Sequence, residues 1–173
     1  MSTTAPKGLQ DVVANESSIC FIDGAKGILS YRGIDIHELA QKSTFEEIAY
    51  LLWNAKLPTA SELAAFTTEL ASAREIHKDV IEFLYMVPDA ASPMEVLRTA
   101  VSLLSIYDAD EKLVTHEGNL RKSFRLTAQI AMIVAIFDRI RKGKPVVEAD
   151  PTLSHAANFL WMLNGEKDRK STV

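Results

Sequence analysis

A chain of 173 residues, 47% hydrophobic, 24% charged and 8% aromatic, is long enough to bury one genuine core, and its seven glycines and six prolines fall in no repeat or biased stretch, which excludes a fibrous or mostly disordered protein. A formal net charge of −4 lacks the basic excess that neutralises phosphates, so nucleic acid is not an expected partner. The single cysteine, Cys20, has no intramolecular disulfide partner, the first ten residues carry no basic segment followed by an apolar run, and the apolar run at 130–137 is far short of the roughly 20 residues of a membrane span; the expectation is a cytoplasmic protein that does not enter a membrane.

In chain order, Ile19-Cys20-Phe21-Ile22 and Ile28-Leu29-Ser30-Tyr31 flank the turn residues Asp23-Gly24 and Gly27, which predicts a β-hairpin. His37-Glu38-Leu39-Ala40 then predicts one or two helical turns, and everything later reads as helix. Ser43-Thr44-Phe45-Glu46 has the capping-box pattern, opening a helix that turns Phe45, Ile48, Ala49, Leu51 and Leu52 inward and stops before Pro58. Thr59-Ala60-Ser61-Glu62 repeats the box before Leu63, Phe66 and Leu70, which recur at the amphipathic period. A third helix around 80–86 ends at Pro88. Ser92-Pro93-Met94-Glu95 combines a cap, a proline at the first helical position and an early glutamate, and the apolar residues that follow spread around most of the helix, predicting burial on most sides. The charged stretch 108–112 reads as a surface loop. A long helix is expected over 121–141, stopped by Gly143 and Pro145, and a last one from about Ser154 to Gly165. The fold class is therefore mainly α: a short N-terminal β-hairpin followed by about six helices.

Chemistry is sparse along this chain. It has no His-Glu-x-x-His, no Cys/His ligand set, no Gly-x-Ser-x-Gly elbow and no glycine-rich phosphate loop. Gly24-Ala25-Lys26-Gly27 precedes a strand rather than a helix and reads as a hairpin turn, not a phosphate cradle. Asp35-Ile36-His37-Glu38 is read as solvated polar residues on a short helix whose Ile36 and Leu39 face inward, ahead of an acid–base pair. His155, one residue after a helix cap, is expected to be partly buried and structural. Arg32 is read as closing the hairpin onto helix carbonyls rather than meeting a substrate carboxylate, and Cys20, in an apolar strand, as inert. Neither His77 nor His116 has a catalytic neighbourhood. No catalytic, substrate-binding or metal-ligating residue is assigned from the pattern.

Several motifs together resemble the citrate synthase family. Residues 18–36, Ser-Ile-Cys-Phe-Ile-Asp-Gly-Ala-Lys-Gly-Ile-Leu-Ser-Tyr-Arg-Gly-Ile-Asp-Ile, are similar to its segment I-S-x-I-D-G-x-x-G-x-L-x-Y-R-G-Y-x-I. Leu39-Ala40, the run Ser43 to Leu52, Leu57-Pro58, Pro93-Met94-Glu95-Val96-Leu97-Arg98 and Asn158-Phe159-Leu160-Trp161-Met162-Leu163-Asn164-Gly165 follow in the family's order. Ser92 stands where the family usually has histidine before Pro-Met, and Ile34 where it usually has tyrosine. The resemblance makes 18–165 the N-terminal part of the family's large helical domain, with 1–17 an extension and 166–173 a polar tail.

What the resemblance implies is an acyltransferase that condenses acetyl-CoA with oxaloacetate to give citrate and CoA in the tricarboxylic acid cycle, with acetyl-CoA as a substrate and no cofactor. A weakly acidic methyl needs a base and a preorganised donor at the nascent enolate oxygen. The family places those groups in an H-A-D-H segment and beyond, and none of His37, His77, His116 and His155 matches them. The resemblance therefore carries no catalytic residue onto this chain, which is expected to be inactive by itself. The partners it implies are a C-terminal half and a second subunit, in a homodimer or higher homo-oligomer, with no membrane and no nucleic acid. A 2-methylcitrate synthase portion and a non-enzymatic helical interaction module are the alternative readings.

Overall fold

The computed structural model describes residues 16–167, and the chain divides into two compact units at Pro58. The expected N-terminal extension, 1–17, and polar tail, 166–173, fall for the most part outside the described residues.

The first unit opens with a three-stranded antiparallel sheet, β1 (Cys20–Asp23), β2 (Ile28–Tyr31) and β3 (Ile34–Asp35), so the expected hairpin gains a third strand. The β1–β2 register pairs Cys20 with Tyr31 and Asp23 with Ile28, and β3 returns so that Tyr31 faces Ile34. The intervening Arg32-Gly33 has φ of 49° and 84°, the two left-handed residues that a tight turn needs to match the strand twist. Helices α1 (Ile36–Lys42) and α2 (Phe45–Asn54) complete the unit, with Leu39 and Leu51 fully buried.

The capping box of α2 lies one residue later than expected. Thr44 caps: its Oγ1 accepts the Glu47 N–H at 3.3 Å, and the Thr44 N–H donates to Glu47 Oε2 at 2.6 Å. Ser43 contributes only its backbone N–H, to Leu39 O at the end of α1. Both registers satisfy the S/T-x-x-E pattern, and helix phase chooses between them: the phase that buries Ala49 and Leu51 turns Glu46 inward and leaves Phe45, expected inside, 45% exposed.

The second unit is helical throughout: α3 (Ala60–Ser72), α4 (Lys78–Met86), α5 (Pro93–Leu104) with a 3-10 turn at Ser105–Tyr107, α6 (His116–Arg141) and α7 (His155–Asn164). The expected box at the start of α3 is present, Thr59 N–H donating to Glu62 Oε2 at 2.8 Å. The core gathers Val80 and Leu84 of α4, Val96, Ala100 and Leu104 of α5, Met132, Ile133 and Ile136 of α6, and Met162 of α7. Burying each large aliphatic side chain stabilises the fold by about 1.5–3 kcal/mol. Against α3, the Phe66 and Phe124 rings meet at 4.8 Å.

Three expectations change in this unit. Helix α5 is buried along the one face of Val96, Ala100 and Leu104, not on most sides, and Met94 is 70% exposed. Its cap, Ser92, makes no side-chain bond; its carbonyl accepts the Glu95 and Val96 N–H groups while Pro93 fills the first helical position. Helix α6 begins five residues earlier than expected, at His116, capped by Thr115 Oγ1 on the Gly118 N–H at 3.1 Å. Gly118 is buried in the first turn of α6, where an added Cβ would stand 2.9 Å from Leu113 Cβ. The helix ends as expected, with Gly143 at φ 62°, and α7 ends at Gly165 with φ 82°.

Candidate functional site

In the first unit the Gly24–Gly27 turn, Arg32, Asp35 and His37 each have a local partner. The Gly24–Gly27 turn is closed by Asp23, whose carboxylate accepts the Lys26 N–H at 3.1 Å and pairs with the Lys26 ammonium at 3.3 Å, so the loop holds its own anion. Arg32 does what was expected of it: Nε and Nη2 donate to the Leu52 carbonyl near the end of α2 at 3.3 and 2.6 Å, and Nη1 to Ser18 Oγ at 2.9 Å. Asp35 is the cap of α1. It accepts the His37 N–H at 2.8 Å and lies 3.0 Å from His37 Nδ1, and these bonds, the backbone one foremost, hold its carboxyl below the usual range. His37 itself is largely exposed. Cys20 is exposed as well, on a strand whose Phe21 and Ile22 are 59% and 67% exposed.

The second unit contains polar nodes that the sequence reading did not single out. Asp108 and Asp110, expected on an open surface loop, are mostly covered by two arginines one turn apart on α6. Arg121 donates to Asp110 through Nε and Nη2 at 2.9 and 2.7 Å, and Arg125 Nη2 reaches Asp108 Oδ1 at 2.6 Å and Asp110 Oδ2 at 2.8 Å. The Arg121 guanidinium first, then that of Arg125, holds the Asp110 carboxyl far below the usual carboxylate range. Only the i, i+4 spacing of Arg121 and Arg125 signalled this in the sequence.

Two further arginines are buried and bind backbone. Arg74 donates from Nη1 to Asp150 O at 2.8 Å and from Nη2 to Leu153 O at 2.9 Å. Arg139 donates from Nε to Pro145 O at 2.5 Å and from Nη1 to Leu163 O at 3.1 Å, lying so close to Gly165 that a Cβ there would meet Nη1 at 2.9 Å. Beside them Asn158, fully buried, accepts the Asp150 N–H at 2.7 Å and points its amide at the sulfurs of Met132 and Met162. These side chains tie the 144–153 segment to the end of α3 through Arg74, to α6 through Arg139 and to α7 through Asn158, satisfying part-buried backbone groups.

The histidines of this unit are separately placed. His155 is buried in the first turn of α7, as expected of a structural residue. His116 is exposed in the first turn of α6. His77 lines a cleft of about 280 Å³ with Glu75, Tyr107, Asp108, Arg125 and Gln129. Its ring stacks on Tyr107 with centroids 3.8 Å apart, and Tyr107 donates its hydroxyl to Asp79 Oδ2 at 2.7 Å, which raises the Tyr107 pKa. No group of three or more His, Cys, Asp or Glu side chains among the described residues is arranged to hold a metal ion, and no helix among them is long and apolar enough to cross a membrane.

Fold and polar nodes define a class first, a helix-dominated scaffold in which charged side chains serve helix ends and loop carbonyls. Residues 8–173 match the family model described as citrate synthase, C-terminal domain, and the chain belongs to that family. It is 45% identical over 171 residues to a citrate synthase of Haloferax volcanii, covering 96% of this chain and 45% of that protein. It is 36% identical over 167 residues to a 2-methylcitrate synthase of Mycobacterium tuberculosis, covering 96% and 42%. The structure superposes on the citrate synthase of Thermotoga maritima with a TM-score of 0.82 at 40% identity, covering 96% of this chain and 43% of that one. On that of Pyrobaculum aerophilum the TM-score is 0.86 at 37% identity, covering 92% and 42%. The chain spans less than half the length of these relatives.

Proposed function

We propose that this chain supplies scaffold to a citrate synthase, an acyltransferase that joins the acetyl group of acetyl-CoA to oxaloacetate, converting acyl to alkyl on transfer and releasing citrate and CoA. The observation that carries the reading is the family match over 8–173 together with 40–45% identity to several citrate synthases. The 2-methylcitrate synthase relative stands lower, at 36%, which favours acetyl-CoA over propionyl-CoA. The chemistry asks for a base to take a proton from the acetyl methyl and for donors that stabilise the enolate and polarise the oxaloacetate carbonyl. Arg32, Arg74, Arg121, Arg125 and Arg139 are committed to carbonyls and carboxylates of this chain, His77 caps α4, and His155 is buried in the first turn of α7. The resemblance to the family implies that the catalytic groups belong to a complementary segment bearing the H-A-D-H motif. The reaction needs no cofactor besides its substrate acetyl-CoA. The reading includes a homodimer or larger homo-oligomer working in the cytoplasm within the tricarboxylic acid cycle.

The test measures CoA release from acetyl-CoA plus oxaloacetate, and in parallel from propionyl-CoA. The purified chain is assayed alone and then mixed with a separately produced C-terminal portion of a citrate synthase. No turnover alone and acetyl-CoA-dependent turnover in the mixture is the expected result. Turnover by the chain alone overturns the assignment of the catalytic groups, and a preference for propionyl-CoA in the mixture overturns the substrate.

A further inference from the structure

Helix α4 begins with an uncommon cap. His77 Nδ1 accepts the Asp79 N–H at 3.3 Å, a place usually taken by serine, threonine, aspartate or asparagine, whose acceptors do not change near neutral pH. A neutral imidazole that accepts at Nδ1 carries its proton on Nε2. The ring is held by its face, stacked on Tyr107 at 3.8 Å and within 9° of parallel, and Tyr107 in turn donates to the Asp79 carboxylate. The groups that face it are therefore known from each side. Asp79 is on α4, with its Oδ2 3.8 Å from Nδ1, Lys78 is exposed beside it, and Glu82, further along α4, adds its negative charge beside Tyr107. Glu75 precedes the helix, Tyr107 and Asp108 close the end of the 3-10 turn, and Arg125 approaches from α6 with its charge already shared between Asp108 and Asp110.

We propose that His77 is a pH-operated cap on α4. Charging the imidazole places a proton on Nδ1 and removes the acceptor of the Asp79 N–H. The new Nδ1–H then donates toward Asp79 Oδ2, while the ring stays stacked, because a cation is attracted to the face of a tyrosine. Lost cap and gained ion pair oppose each other, so the signature is local. The first turn of α4 loosens while the α4–Tyr107 contact persists, and the cleft gains one positive charge.

The experiment is an amide NMR and hydrogen-exchange titration of the 173-residue chain from pH 8 to 5.5, with His77→Asn as the control that retains an acceptor and does not titrate. The expected result is that the Asp79 amide resonance moves with the same midpoint as the His77 ring and that its protection falls about five-fold below it, the worth of a cap. In His77→Asn the same amide stays in place. An Asp79 amide that is unmoved while the His77 ring titrates, or one that moves equally in His77→Asn, overturns the proposal.

Discussion

Arg32 sits at φ 49°, a conformation that costs a side-chain-bearing residue roughly 1–2 kcal/mol, and it is held there by three hydrogen bonds from one guanidinium. Lysine has one charged centre in place of this fork and cannot reproduce it. Arg32→Ala keeps the strained backbone and loses the bonds, a cost of about 1.5–3 kcal/mol for charged donors to part-buried acceptors. Arg32→Gly loses the same bonds but relieves the backbone, so chemical unfolding of the two variants should rank glycine above alanine and both below the parent chain. Equal stability of Arg32→Ala and the parent chain would remove the clasp from the list of stabilising contacts. That Arg32 turns to carbonyls of its own chain was legible from its place in a tight hairpin. That Asp108 and Asp110 are gripped by Arg121 and Arg125 was not, because partners 11 to 17 residues apart leave no periodic mark across an irregular loop.

Helix ends were the most readable elements and also where the reading slipped. Thr59, Ser154, Gly143 and Gly165 stand where capping chemistry puts them, since each supplies an acceptor or a left-handed residue that local backbone alone requires. The slip at α2 came from two overlapping boxes, Ser43…Glu46 and Thr44…Glu47, that no local rule separates. Paired substitutions check the outcome. Thr44→Ala should lower stability by about 1 kcal/mol, whereas Ser43→Ala, which spares the backbone bond to Leu39, should change it by no more than a few tenths. The reverse order in thermal or urea unfolding would restore the earlier register. The start of α6 lies earlier than expected because the missing Cβ of Gly118 lets Leu113 pack against its first turn.

At the scale of the whole molecule, large apolar side chains stand exposed on several elements. Phe21 and Ile22 on β1, Met86 at the end of α4, Met94 on α5 and Ile106 in the 3-10 turn are 59–75% exposed. The isolated chain is therefore expected to self-associate, with a light-scattering mass that rises with concentration, and Met86→Lys with Met94→Lys should lower that mass. A strictly monomeric solution at every concentration would count against the expectation. Family membership was legible because a few runs, Ile22-Asp23-Gly24, Tyr31-Arg32-Gly33, Pro93-Met94 and Asn158-Phe159-Leu160, recur in order, and the matched span is now 8–173. The sequence by itself determined what depends on neighbours along the chain: the turns, the caps and the helical periods. Tertiary structure alone decided which of two equivalent cap registers is used and which face of α5 is covered. It also decided which arginines are spent on distant carbonyls and carboxylates, and that a histidine starting one helix stacks on a tyrosine ending another. These outcomes depend on contacts made when helices pack, where helix phase and the need to satisfy every buried polar group override what any short stretch prefers.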